Sequence, residues 1–136
     1  MKVLVDTSVW SAALRRKEKG GLNNDCEQVI LQLQALIDDA LVALAGPIRQ
    51  EILSGISGKA KFDTLKEKMR AFPDTEIVTT DYETAAEYFN LCRGKGVQGS
   101  HIDFLLCAVA TREKFPILTL DKDFLSYSRH LPITLM

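Results

Sequence analysis

Short apolar runs alternate with amphipathic stretches along the whole chain, and this alternation constrains the fold more than any other feature of the sequence. The runs are too short to form helices, whereas the apolar residues between them recur every three or four positions, as on one face of a helix. Strands that alternate with helices are typical of an α/β fold whose mostly parallel central sheet is flanked by helices on both faces. The predicted strands are 2–5, 41–45, 76–79, 116–120 and 133–135.

Polar residues and prolines mark the ends of the predicted helices. Thr80 and Glu83 have the spacing of a capping box, and Ser100 is suited to cap the next helix. Pro47 is suited to the first turn of a helix. The charged segment 15–21, which ends in two glycines, is predicted to be a loop. The predicted helices are 8–14, 24–38, one from 46 onward, 62–72, 80–92 and one from 100 onward.

The length of 136 residues predicts one domain, 1–136, with a core large enough to need no metal or disulfide for its stability. The longest clean apolar run, 104–110, is far shorter than a membrane-spanning helix, and the first residues do not resemble a secretory signal. Three cysteines without a CxxC motif argue for a reducing compartment and against structural zinc. We therefore expect a cytoplasmic protein with no membrane partner.

Acidic residues recur where the predicted strands end. Asp6 directly follows the first strand, and Glu51 lies about one turn into the helix after the second. Asp103 falls in the first turn of a later helix, while Asp121 and Asp123 follow the strand at 116–120. Because ligand sites in open α/β sheets lie at the carboxyl ends of the strands, we expect these carboxylates to meet at one edge.

Clustered carboxylates repel one another unless a cation lies between them. Oxygen ligands without cysteine or paired histidine suit Mg²⁺ or Mn²⁺ rather than Zn²⁺. Such a metal can activate water and stabilise the transition state of phosphodiester hydrolysis, which requires no nucleophilic serine or cysteine.

Each acid also has an ordinary structural interpretation. Asp103 could be the capping-box partner of Ser100, Asp6 and Asp121 could be turn residues, and Glu51 could be a solvated helix residue. Their joint occurrence at equivalent strand ends favours a site.

Four segments resemble PIN-domain proteins, in the order in which that family carries them. VLVDTSVW at 3–10 resembles the opening strand with its Asp, and PIRQEIL at 47–53 resembles the helix that carries an early Glu. DFLLCAVA at 103–110 and LTLDKDF at 118–124 are similar to the two later acidic motifs. The match extends over essentially the whole chain, and the size is that of the free-standing VapC-type toxins.

The resemblance implies a single PIN-like domain that acts as a divalent-metal-dependent endoribonuclease, with Mg²⁺ or Mn²⁺ as cofactor, and as the toxin of a type II toxin–antitoxin system. It further implies a cognate small antitoxin, an RNA substrate and a homodimer. The implied catalytic acids are Asp6, Glu51, Asp103 and Asp121. The implied metal ligands are Asp6, Asp103 and Asp121, with Asp123 able to share or replace the role of Asp121. The implied supporting polar residues are Thr7, Ser8 and Thr119.

The basic run that follows the first motif is a candidate RNA-binding segment, because phosphate contacts supply much of the affinity for RNA. A solvated loop is the alternative interpretation. The residues are Arg15, Arg16, Lys17 and Lys19. Net charge is −1, so the rest of the surface is basic once the four acids are set aside.

Two other function classes compete with the ribonuclease. Haloacid-dehalogenase-type phosphatases also begin with a strand and an Asp, but they need a second Asp where this chain has Ser8, and they carry a long cap insertion. A catalytically silent PIN-like module that binds RNA or protein stays open. His101 could act as an acid or contact a phosphate, but a surface histidine at a helix start is the simpler interpretation.

Overall fold

The computed structural model describes residues 1–19 and 24–136, with the backbone alone for 16–19. A small parallel sheet lies at its centre, in the order β2–β1–β3. Leu4 pairs with Ala43 on one side and Ile117 on the other, so β1 is the middle strand and is wholly buried. The α/β class with a parallel sheet is confirmed. The strands are β1 (Val3–Val5), β2 (Val42–Ala43) and β3 (Ile117–Leu118).

Most of the buried apolar side chains in the described part of the chain lie on helices. They are α1 (Thr7–Lys19), α2 (Asn24–Asp38), α3 (Gly46–Leu53), α4 (Lys59–Met69), α5 (Thr79–Gly94), α6 (His101–Glu113) and α7 (Asp123–Ser128). Among these, α6 is strongly apolar and buries six of its residues, from Phe104 to Ala110. No helix of the described residues combines the length and apolar character needed to cross a bilayer.

Several helices differ from the prediction. Helix α4 spans Lys59–Met69, so it begins and ends three residues before the predicted 62–72. The first helix continues through Lys19, so residues 15–19 are helical rather than a loop, which agrees with the high helix propensity of Arg, Lys and Glu. Residues 20 and 21 of that predicted loop lie outside the described residues. Helix α7 begins at Asp123, within the last predicted acidic motif, and the periodicity did not indicate it.

The predicted strand at 76–79 is wrong. Only Asp74, just before it, forms an isolated parallel bridge, with Leu44. Beyond this bridge, side chains satisfy the backbone: the carbonyl of Glu76 accepts from Arg112 and the N–H of Val78 donates to a carboxylate of α5. A segment whose polar groups are bonded to side chains has no need of a strand neighbour.

The start of α5 is also earlier than predicted. The helix begins at Thr79, with Val78 as its N-cap, and the carboxylate that reaches back to the Val78 N–H belongs to Asp81 rather than Glu83. The predicted Thr80 cap is therefore wrong by two residues. The remaining predicted strands exist but are short, and 133–135 is reduced to one bridge between Leu135 and Ile117.

Candidate metal-dependent nuclease site

Asp6 lies at the carboxyl end of β1 and is the most enclosed of the predicted site acids, with 7% of its surface exposed. Its N–H donates to the carbonyl of Leu118 at 3.0 Å, so the pairing of β1 with β3 continues past the strand end. This pairing sets Asp6 beside Thr119. The parallel arrangement thus brings together two positions that are remote in sequence.

Two hydroxyl groups hold one oxygen of the Asp6 carboxylate. Ser8 Oγ and Thr119 Oγ1 donate to Asp6 Oδ2 at 2.8 and 2.9 Å. The same hydroxyls accept from the N–H groups of Leu120 and Asp121, both at 2.9 Å. A hydroxyl has one proton to donate, so both protons are committed to Asp6. Among the described residues, the hydrogen bonds to this carboxylate all go to Oδ2, so Oδ1 is available to a ligand.

Asp103 lies in the first turn of α6, where the predicted cap is confirmed: Ser100 Oγ accepts from the Asp103 N–H at 3.0 Å. The Tyr127 hydroxyl donates to Asp103 Oδ2 at 2.7 Å. Burial raises the pKa of the Asp103 carboxyl, and the negative charges of Asp121 and Asp6 raise it further, against the opposing hydrogen bonds from Tyr127 and Ser100. Asp103 is therefore more than the partner of the Ser100 cap, because the charges of two other site acids act on its carboxyl.

Glu51 reaches the same region from α3. The Thr7 hydroxyl donates to Glu51 Oε1 at 3.3 Å, so Thr7 supports Glu51 whereas Ser8 and Thr119 support Asp6. Partial burial raises the pKa of Glu51, and the charges of Asp6 and Asp103 add to this effect, although the Thr7 hydrogen bond opposes it.

Asp121 and Asp123 have different surroundings. Asp121 Oδ1 accepts from the N–H of Asp123 at 2.9 Å, which ties the end of the β3 segment to the start of α7. The charge of Asp121 raises the pKa of both Asp103 and Tyr127, whereas the charge of Asp123 acts on Tyr127 and not on Asp103. This difference favours Asp121 over Asp123 as the fourth acid.

Basic side chains neutralise other carboxylates of the described structure but not these four. The ion pairs between described side chains involve Asp63, Asp74, Asp81 and Glu113. The negative charges of the site acids instead raise the pKa values of Glu51 and Asp103. Negative charge gathered in this way attracts a cation.

The residues fit a hydrated divalent cation better than an enclosed one. In the part of the chain that the structure describes, no three His, Cys, Asp or Glu side chains form a group that could hold a metal. Mg²⁺, however, keeps several waters and binds through one or two carboxylates together with substrate phosphates. All available donors are oxygens, and Asp6 offers an unused one. The ligand set of Asp6, Asp103 and Asp121 stays a prediction.

A family model described as PIN domain matches residues 3–129. The chain belongs to the PIN domain family. PIN domains are generally nucleases and generally use divalent metal ions, as the chemistry of the clustered acids suggests. No curated protein gives a significant match to this chain.

Solved structures share the fold of this PIN domain over nearly its whole length. VapBC2 from Rickettsia felis, bound to a DNA fragment from its promoter, has a TM-score of 0.74 and 14% identity, covering 100% of this chain and 98% of that chain. FitAcB from Neisseria gonorrhoeae has a TM-score of 0.68 and 20% identity, covering 98% and 96%. PAE2754 from Pyrobaculum aerophilum has a TM-score of 0.58 and 15% identity, covering 96% and 87%. At such identities these similarities establish the fold alone.

Other predicted residues of this PIN domain are less informative. Arg15 is exposed on α1, whereas the side chains of Arg16, Lys17 and Lys19 lie outside the described residues. His101 is the exposed first residue of α6, and its ring stacks on Phe89 with 4.8 Å between centroids.

Tyr127 is a site contact that the sequence analysis missed. It belongs to the unpredicted helix α7, and it is fully buried although its hydroxyl contacts Asp103. Buried tyrosines generally find a hydrogen-bond partner, but the sequence does not say which.

Proposed function

We propose that this PIN domain is an endoribonuclease that depends on Mg²⁺ or Mn²⁺ and is the toxin of a type II toxin–antitoxin pair. The observation that carries the proposal is a group of four acids, Asp6, Glu51, Asp103 and Asp121. Their negative charges raise the pKa values of Glu51 and Asp103, and none of the four has a basic partner among the described residues. Family membership and the fold shared with VapBC2 support it.

The site residues would have different roles in hydrolysis. Asp6 and Asp103, with Asp121, would hold the cation, and Ser8 and Thr119 keep the Asp6 carboxylate in one orientation. A divalent ion held there would activate water for attack and stabilise negative charge on the phosphate. Glu51, whose pKa is raised, is suited to accept a proton from the attacking water at Oε2.

The first test is end-group analysis of RNA cleaved by the purified protein, with Mg²⁺ and with EDTA. Metal-assisted attack by water gives 5′-phosphate and 3′-hydroxyl ends, and EDTA should stop the reaction. Asp6→Asn should reduce the rate at least about a hundredfold, the size of one strong electrostatic contact. His101→Ala should reduce it little. Cyclic-phosphate ends that persist in EDTA would replace the metal mechanism with acid–base chemistry at His101.

An antitoxin that inhibits this site would carry a basic side chain. A cluster of carboxylates attracts Arg or Lys, and we expect such a residue against Asp6, Glu51 and Asp103 in the complex. Co-expression with the neighbouring small protein of the native operon should yield a complex without nuclease activity. A neighbour that binds without lowering activity, or no binding neighbour at all, contradicts the toxin–antitoxin assignment. A homodimer and a cytoplasmic location complete the proposal.

A catalytically silent PIN-like module that binds RNA or protein is the second candidate. It is favoured by the lack of a three-ligand metal group among the described side chains. A silent module should show no thermal stabilisation by Mn²⁺, whereas a nuclease should be stabilised.

A further inference from the structure

Tyr127 joins the core of the protein to a site acid. Its side chain is fully buried, and its ring lies 4.9 Å from Phe104 and 5.2 Å from Phe124, measured between centroids. From this packed position the hydroxyl donates to Asp103 Oδ2 at 2.7 Å.

Gly99 provides the space that this contact requires. A Cβ atom at residue 99 would overlap the Tyr127 hydroxyl oxygen and lie 2.7 and 2.8 Å from Cζ and Cε1 of its ring. At each of the other described glycines, an added Cβ atom would meet no neighbouring atom within 4 Å. Gly99 also directly precedes Ser100, the N-cap of α6, so it lies beside the helical turn that carries Asp103.

The arrangement repeats what Ser8 and Thr119 do for Asp6, where hydroxyl donors fix one carboxylate oxygen. We propose that Tyr127 is a positioning residue that holds the Asp103 carboxylate for the divalent cation, and that Gly99 keeps the space for its hydroxyl. This inference rests on the proposed metal-dependent function. Partners of a metal ligand typically change metal affinity tenfold to a hundredfold when they are removed.

The test measures Mn²⁺ affinity directly, from the electron paramagnetic resonance signal of free Mn²⁺ during titration. Tyr127→Phe keeps the ring and removes only the hydroxyl, and it should weaken Mn²⁺ binding about tenfold. Tyr88→Phe is the matched control, since Tyr88 is a partly buried tyrosine of α5, and this variant should bind Mn²⁺ like the wild type. A tyrosine with a merely structural role would lower the melting temperature without metal and leave the Mn²⁺ affinity unchanged.

A double-mutant cycle tests the part played by Gly99. Gly99→Ala should weaken Mn²⁺ binding in the wild type but cause little further loss of affinity in the Tyr127→Phe background. The added methyl still presses on Cζ and Cε1 of the ring there, but the hydroxyl that holds Asp103 is already gone. Additive losses would overturn the role of Gly99. If Gly99→Ala does not fold, the comparison of Tyr127→Phe with Tyr88→Phe decides alone. Wild-type affinity in Tyr127→Phe overturns the inference and leaves the nuclease standing, whereas a wild type that binds no Mn²⁺ overturns both.

Discussion

At Asp103, burial and neighbouring negative charge oppose ionisation, and two hydrogen bonds only partly offset them. A raised pKa means that the folded protein binds this proton more tightly than the unfolded chain. The free energy of unfolding of the metal-free protein therefore falls as pH rises from the ordinary value of 3.8 through the raised pKa. Asp103→Asn removes the charge but keeps an oxygen that accepts from Tyr127.

We predict that Asp103→Asn raises the melting temperature of the metal-free protein at pH 7 and that the gain shrinks as pH falls toward 4. Thermal unfolding in EDTA at several pH values measures it. Asp63→Asn is the control, since that acid is paired with Lys59 on the surface. A gain that is the same at every pH would show that charge is not its cause.

The Thr119 hydroxyl also links two site acids, because it donates to the Asp6 carboxylate and accepts from the N–H of Asp121. Thr119→Val keeps the shape and removes the hydroxyl, and we expect about a tenfold or greater loss of RNA cleavage. Thr119→Ser keeps the hydroxyl and should retain most of the activity. Equal losses in the two variants would mean that packing rather than the hydrogen bonds matters here.

Between elements, an ion pair joins α5 to α6. Arg112, near the end of α6, donates from Nε and Nη2 to Asp81 in the first turn of α5, at 2.8 and 2.9 Å. Asp81 is 2% exposed, and the hydrogen bonds of Arg112 are the main reason that its pKa lies below the ordinary value of 3.8. A depressed pKa contributes stability that is present above pH 3.8 and is lost as pH falls through the lowered value.

Arg112→Met should lower the free energy of unfolding at pH 7 by about 2 kcal/mol, less than a fully buried pair would lose, because Arg112 is one-third exposed. Urea denaturation measures the change. Arg70→Met, at an exposed position after α4, should change stability by no more than about 0.5 kcal/mol. A loss that does not diminish at acidic pH would contradict the ion-pair explanation.

Over the whole molecule, the cation is expected to be a stabilising ligand. Mn²⁺ at about a hundred times its Kd should contribute about 2.7 kcal/mol, which raises the melting temperature by roughly 5–10 °C. Protons compete with the cation for Asp103, whose pKa is raised, so the shift should grow as pH rises. The double variant Asp6→Asn, Asp103→Asn should show no shift. A shift that survives both substitutions places the cation elsewhere.

The α/β class, the parallel sheet and the acids at its carboxyl edge followed from the sequence, because strand ends and helix caps depend on neighbours a few residues away. Where such short-range signals conflicted with distant partners, prediction failed: residues 76–78 look like a strand, but Arg112 and Asp81 satisfy their backbone instead. Only the tertiary structure decided which oxygen of each acid is held. The hydrogen bond from Thr119 to Asp6 joins residues 113 apart, and that from Tyr127 to Asp103 joins residues 24 apart. No local pattern encodes such contacts, since packing of the whole core determines where each hydroxyl lies.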